Sequence, residues 1–336
     1  MAFEILQDIE NCFEGGWSDG LPVIPPYGSL VESMLAAMGW KNSDLVGVIP
    51  EQCIEVRAEH LAAAAVMAGC KVDFGPVLRA ASLGLMDSRC LLGGAEVTTG
   101  GPGVLVIVSG PAVEQYGFAH EANALGANVR VNATIGRFAN LVRLFCGSGG
   151  GTLQRHGTIG HPGRISYCVA EHPKTVWSPF HTQVGLPAAA SVVTIAVAEG
   201  PNSVNNHYGE TGEIILETIA DCLRHFGSTS YYWRKSGYIV VIPPDHMELV
   251  GADYTREQAR AYLYEHARRS TEELKRVGRI PRDPLPETRV EWGTMRSPMD
   301  NEGQLLFIES GARGGRFSAV IPRWAGSLYT VSNIIE

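Results

Sequence analysis

Apolar positions along the chain fall into two kinds of pattern. Near the N-terminus they recur at helical spacing. Leu30, Met34, Leu35 and Met38 predict a helix over Ser29–Trp40, and the nearly unbroken run from Leu61 to Ala68 predicts a helix over Val56–Cys70 that is buried on most sides. Pro76–Met86 reads as its antiparallel neighbour, and a short helix precedes them in residues 1–50. The segment Trp17–Pro26 carries Asp-Gly and Pro-Pro breakers, so it reads as an ordered loop.

After residue 100 the pattern changes to short, β-branched runs, each cut by a breaker: Val104–Val108 before Gly110-Pro111, Ser191–Ala198 before Gly200-Pro201, and Tyr238–Ile242 before Pro243-Pro244. A polar stretch and a helical pattern follow each run, at about Ala133–Phe145, Gly212–Phe226 and Arg256–Arg269. The third helix carries Thr255 and Gln258 in capping-box positions. This is a degenerate strand, Gly-Pro loop, helix repeat, in which the Gly110-Pro111 and Gly200-Pro201 copies align best. Two further runs, Gln304–Glu309 and Phe317–Pro322, close the chain. Continuous apolar strands alternating with helices predict an α/β fold, a mixed sheet with helices on both faces. Three sections follow: a mainly helical 1–100, an α/β core over 101–270, and a connector with closing strands over 271–336. Ligands in such sheets bind beyond the C-terminal ends of strands, where the Gly-Pro loops are expected.

Composition narrows the class. The chain has 336 residues, 45% hydrophobic and only 18% charged, against a usual charged share of about 25%. Disorder is excluded. With 27 basic against 35 acidic residues the net charge is −8, which argues against nucleic acid as a partner. The start of the sequence lacks a basic, apolar leader, no run is long enough for a membrane helix, and the seven cysteines include no CxxC pair. A cytoplasmic protein with reduced thiols is expected. The apolar, charge-poor composition also predicts a homo-oligomer.

The densest chemistry lies between His156 and His181, with His161, Cys168, Glu171 and His172 between them. Histidine supplies proton transfer near neutral pH and binds metals, and cysteine supplies a thiolate or a soft ligand. The spacing matches neither a zinc finger nor HExxH. The expected catalytic set is Cys168, His161, Glu171 and His181. A second candidate is the polar loop Glu199–His207, in which Glu199, Asn205 and His207 would bind substrate. Asn132 reads as an N-cap, and Arg137 and Arg316 as anion partners. Glycine is abundant, at 39 residues, but Gly100–Gly103, Gly147–Thr152 and Gly311–Arg316 match neither a Rossmann nor a P-loop fingerprint, which leaves the cofactor open, a divalent metal among the choices. Cys70, at the C-terminal end of an apolar helix, reads as structural.

The combination Trp17-Ser18-Asp19-Gly20-Leu21-Pro22, Met67–Cys70, Asn132–Arg137 and Gly160-His161-Pro162-Gly163, with Glu199-Gly200-Pro201 and Phe317–Pro322, resembles a bacterial protein family associated with UGSC (selenocysteine-Gly-Ser-Cys) proteins. The likeness spans nearly the whole chain. It implies thiol- or selenol-linked redox chemistry, a catalytic part for Asp19, and a part in the site for Cys70, Asn132, Arg137, His161, Cys168 and Glu171. The nearest string here, Cys146-Gly147-Ser148-Gly149, lacks the second sulfur.

Three functions follow as expectations. One is an enzyme cleaving a small polar molecule by Cys/His/carboxylate chemistry. Another is a lyase or hydrolase with a divalent metal on His161, His181 and His207. The third is a non-catalytic ligand-binding subunit.

Overall fold

A run that is apolar at every position must be covered on both faces, and in this protein the two covers differ. The computed structural model describes residues 2–126, 129–147, 157–225, 227, 231, 237–282, 294–327 and 329–336. The strands are β1 (Leu45–Ile49), β2 (Ile54–Arg57), β3 (Gly103–Ser109), β4 (Cys168–Ala170), β5 (Val192–Ala198), β6 (Asn202–Asn205), β7 (Tyr238–Ile242), β8 (Arg269–Ser270), β9 (Met295–Arg296), β10 (Leu305–Glu309), β11 (Phe317–Pro322) and β12 (Val331–Ile334). Two four-stranded sheets form, β12-β5-β3-β4 and β10-β7-β11-β6, beside the small pairs β1-β2 and β8-β9. The mixed α/β class is as the apolar pattern predicts.

Strand parity shows how the layers stack. Val104, Val106 and Val108 of β3 join one core with helical residues such as Leu61, Leu78 and Phe138. Leu105 and Ile107 join another with Ile239, Val241, Leu306, Ile308 and Ile321 of the second sheet. Tyr238, Val240 and Ile242 of β7 face a third core with Ile215, Leu216 and Leu263. The two sheets therefore pack on each other, and helices cover both outer faces. A polar side chain at either parity would forfeit about 1.5–3 kcal/mol of burial, which keeps the runs unbroken.

The helices are α1 (Ala2–Glu14), α2 (Gly28–Met38), α3 (Ala58–Ala68), α4 (Gly75–Met86), α5 (Leu92–Val97), α6 (Ala112–Gln115), α7 (Arg130–Gly147), α8 (Gly212–Leu223), α9 (Pro244–Asp253), α10 (Arg256–His266) and α11 (Thr271–Arg276). Helices α2–α5 and α7 pack on the first core, and α8–α10 on the second sheet. Thr255 and Gln258 form the expected capping box of α10. The connector expected from residue 271 contains α11 and the short strand β9, while residues 283–293 lie outside the described residues. No described helix is long and apolar enough to cross a membrane.

The repeat has a different register from the one the breakers suggest. β3 runs parallel to β4 and antiparallel to β5, which is antiparallel to β12. β7 runs parallel to β10 and antiparallel to β11, which is antiparallel to β6. The patterns superimpose when β3, β4, β5 and β12 are laid on β7, β10, β11 and β6. Gly110-Pro111 therefore corresponds to Pro243-Pro244, not to Gly200-Pro201. Each half also lends its fourth strand. β6 follows β5 yet pairs with β11, and β12 follows β11 yet pairs with β5. The second sheet draws on β6, β7, β10 and β11, so its topology runs across the section boundary at 270.

The halves meet at two corners. At one, Ala198 bridges Arg323 in antiparallel fashion, and Glu199 N–H donates to Pro322 O at 2.9 Å. At the other, His172 N–H donates to Glu309 O at 2.7 Å, and Ser310 Oγ–H donates to Ala170 O at 2.7 Å. This second corner gathers the C-terminal ends of β4 and β10. Gly110 closes β3 beside it with φ of 82°, and a Cβ there would lie 2.1 Å from Ala190 O, so only glycine fits.

Candidate functional site

Strand direction decides which predicted residues can meet. Gly103 pairs with Ala198 and Ser109 with Val192, so the loops at Gly110 and Gly200 lie at opposite ends of the first sheet. They are about 20 Å apart at ~3.3 Å per residue.

His161 belongs to the Gly200 end. Its Nε2 accepts from Gly103 N–H at 3.0 Å and lies 3.2 Å from Ala198 O, and its ring meets Tyr167 edge-on at 5.6 Å. Its Nδ1 is buried with no partner among the described residues, and burial lowers its pKa. Glu199 sits nearby, its backbone O accepting from Tyr167 Oη–H at 3.2 Å.

His181 lies at the other end of β3, fully buried. Its Nδ1 is 2.8 Å from Ser109 Oγ and its Nε2 is 2.9 Å from Pro187 O. A neutral ring satisfies both by accepting from the serine hydroxyl and donating to the carbonyl, which leaves no lone pair for a metal. His161 and His181 therefore cannot share the expected metal or catalytic site. Desolvation also holds His181 below the ordinary histidine pKa. The unfolded chain binds this proton below about pH 6.5, so the stability His181 gives is complete above that value and declines as pH falls. Urea unfolding should show a larger wild-type advantage over His181→Gln at about pH 7.5 than at about pH 5.5. A pH-independent difference would contradict the neutral, buried imidazole.

The remaining predicted residues separate too. Cys168 is 1% exposed on the helix-facing side of β4, paired with Val106, and burial pushes its thiol up. Cys70 is buried with its thiol pushed up to about 12, and its Sγ lies 3.4 Å from Thr134 O. Neither is placed to be a nucleophile. Asp19 takes both Nε–H and Nη2–H of Arg137 at 2.8 Å, and Arg137 also donates to Leu21 O and Pro22 O. This pair fastens the Trp17–Pro26 loop to α7. Asn132 lies inside the first turn of α7, not at its cap. Its amide clamps both backbone groups of Ala119, at 2.9 and 3.0 Å. Asn205 ends β6, opposite Phe317. His207 is exposed and edge-on to Phe317 at 5.5 Å, and Arg316 donates to His207 O at 2.8 Å. That group lies on the β6 edge of the second sheet, away from His161 and His181. His156 and residues 148–152 of the glycine run lie outside the described residues.

Glu171 does sit where strand ends gather. Its backbone N–H extends the β3 pairing by donating to Val108 O at 2.8 Å. Its buried carboxyl accepts from Phe180 N–H through Oε1 at 2.7 Å, while Oε2 has no partner among the described residues. Burial raises its pKa to about 8. Glu309, across the corner, is raised by burial as well, and accepts from Val176 N–H at 2.8 Å. Val176 also lines a cavity of about 480 Å³ with Trp177, Tyr254 and Arg256.

On the same strand ends lies a cluster that the sequence reading did not assemble. Potential ligand atoms of His120, Glu121 and His172 all lie within 4.8 Å of one another. The two imidazoles meet edge to face, with centroids 5.0 Å apart. Both histidine backbones are tied to the same strand end: His120 O accepts from Gly311 N–H at 2.8 Å, and His172 N–H reaches Glu309 O. Sequence reasoning named His172 without a role and missed His120, Glu121 and Glu309. The available signal was the polar segment after Gly110-Pro111, at the C-terminal end of a parallel strand. Two imidazoles and a carboxylate at one corner can exchange protons with a ligand or hold a cation. Searches against family models, curated proteins and solved structures find no match for this chain.

Proposed function

We propose that this protein is an enzyme acting on a small polar molecule at the β4/β10 corner, with hydrolytic or lyase chemistry carried by histidine and carboxylate groups. The observation that carries this reading is the convergence of His120, Glu121 and His172 on backbone tied to Glu309 and Gly311, where both halves end their parallel strands. The neighbouring cavity, with Arg256 over the Trp177 ring at 5.8 Å, offers room and a cation for a polar substrate.

The cysteines favour this reading over a thiol mechanism. Cys12, Cys70, Cys90, Cys146 and Cys168 are buried. The thiol of Cys146, the position nearest the UGSC string, is pushed up to about 12 by burial. The resemblance to the UGSC-associated family is kept as a proposal about kinship, without its redox chemistry.

Crystals of the protein as isolated, or soaked with small carboxylic and phosphoric esters, test the reading. Ligand density should contact His120 or His172. Density confined to the cavity lined by Gly157, Gly160 and His161 would contradict it.

A further inference from the structure

We propose that His120, Glu121 and His172 form a binding site for one divalent transition-metal ion of the zinc class. The inference deepens the proposed catalytic reading of the corner and rests on it for the metal's use, while binding itself is measured separately.

The donor set is the first argument. Two imidazole nitrogens with one carboxylate oxygen suit zinc, cobalt or nickel, and disfavour magnesium and calcium, which take oxygen ligands. Three protein donors leave a fourth tetrahedral position for water or substrate.

Ring orientation is the second. His120 Nδ1 lies 3.2 Å from Phe118 O, and His172 Nδ1 lies 3.1 Å from both Lys174 O and Lys174 N. At His120 a Nδ1–H donated to the carbonyl fixes the tautomer and leaves the Nε2 lone pair free for a cation, the arrangement that metal-binding histidines generally adopt; His172 presents its Nε2 lone pair in the tautomer that donates to Lys174 O, and not in the one that accepts from Lys174 N–H. The potential ligand atoms lie within 4.8 Å of one another, whereas a tetrahedral ion at ~2.1 Å from each would set them about 3.4 Å apart. Glu121 is exposed, so its side chain can turn toward the two imidazoles.

The third argument is preorganisation. Asn132 clamps Ala119, the residue before His120, on both its N–H and its carbonyl. His120 O accepts from Gly311 N–H, and His172 N–H donates to Glu309 O. Both ligand backbones are thus fixed on one strand end, which holds donor positions without a metal's help.

Untagged protein, stripped with chelator and dialysed against zinc(II), is assayed by elemental analysis, and cobalt(II) is titrated by visible absorption. One equivalent per chain is expected, with the cobalt band of a nitrogen- and oxygen-ligated site. His120→Ala, His172→Ala and Glu121→Ala should each weaken binding by at least about tenfold, while His207→Ala should not. Glu121 is exposed, so Glu121→Ala keeps the test valid if a histidine variant misfolds. No uptake by the wild type, or full uptake with unchanged affinity by the folded ligand variants, would overturn the metal site. Loss of turnover in His172→Ala without any metal uptake would overturn the metal inference alone. Metal uptake at these residues with turnover untouched by their replacement would overturn the catalytic reading alone.

Discussion

Glu96→Ala should cost about 3–5 kcal/mol of unfolding free energy, the largest stability loss expected from a single charged residue here. Glu96 lies in α5 with no solvent exposure, and its Oε2 is shared by the guanidinium groups of Arg143 and Arg164. Arg143 is itself buried and reaches Asn140 Oδ1 at 3.3 Å. Asn140 in turn holds both backbone groups of Val104, at 3.0 Å each, where β3 begins. Removing the carboxylate withdraws the countercharge from two cations in a poorly solvated place, and the penalty of a buried charge then exceeds the Coulomb energy that the intact cluster gained. Glu96→Gln keeps an acceptor and the packing, so it should cost less than Glu96→Ala. Urea unfolding monitored by circular dichroism checks both. A loss below about 1 kcal/mol, typical of an exposed pair, would show that the cluster does not carry the contact between α5, α7 and the start of β3.

This cluster illustrates what the sequence left unread. Glu96, Arg143 and Arg164 have no common spacing or motif, and only the packing of α5 and α7 beside β3 brings them together. Five of the strands, by contrast, were plain, whereas β4, β6, which lies within the expected polar loop Glu199–His207, and β12 were not read as strands. Tyr238–Ile242 and Phe317–Pro322 occur with the predicted bounds, and the other three runs differ by a residue at one or both ends. Burial of both strand faces wrote itself into every position of Val104–Val108 and Tyr238–Ile242. That same completeness concealed the layering, because Ile239 looks alike whether a helix or a second sheet covers it. Direction was hidden for a similar reason. The Ser191–Ala198 run resembles its neighbours in composition, yet β5 runs antiparallel to β3, which moves the Gly200 loop to the far end of the sheet.

The candidate site was half legible. Glu171 and His172 stand in the cluster that the histidine density marked, and both reach the corner. Cys168, three residues earlier than Glu171, does not, because strand alternation turns it toward α7 and the apolar core. His161 and His181 flank it in sequence, but they bond to opposite ends of β3, at Gly103 and Ser109. His120 was invisible as a partner of His172: 52 positions separate them, and the crossing of the chain at Glu309–Gly311 joins them. Asn132, read from the sequence as an N-cap, instead clamps the backbone of Ala119, the residue before His120. The glycine surplus likewise serves more than one place. Gly110 permits a left-handed turn against Ala190, and Gly101 packs on Gly160 near His161.

The second large effect is on activity, and it separates the two chemistries the sequence allowed. His172→Ala removes an imidazole from the corner, and loss of a positioned acid, base or ligand should reduce kcat/KM by at least about 100-fold. Cys168→Ala removes a buried sulfur from the β4–α7 packing. It should lower stability by about 1 kcal/mol through the small cavity it leaves, and leave kcat/KM within about threefold. The comparison is made on whichever ester, phosphoester or eliminating substrate the wild-type protein turns over. The direct measurement is therefore kcat/KM of His172→Ala and Cys168→Ala side by side with the wild type. A collapse in the first variant with near-normal turnover in the second is the result predicted for a histidine and carboxylate site at the β4/β10 corner. Near-normal turnover in His172→Ala with a collapse in a folded Cys168→Ala would contradict it.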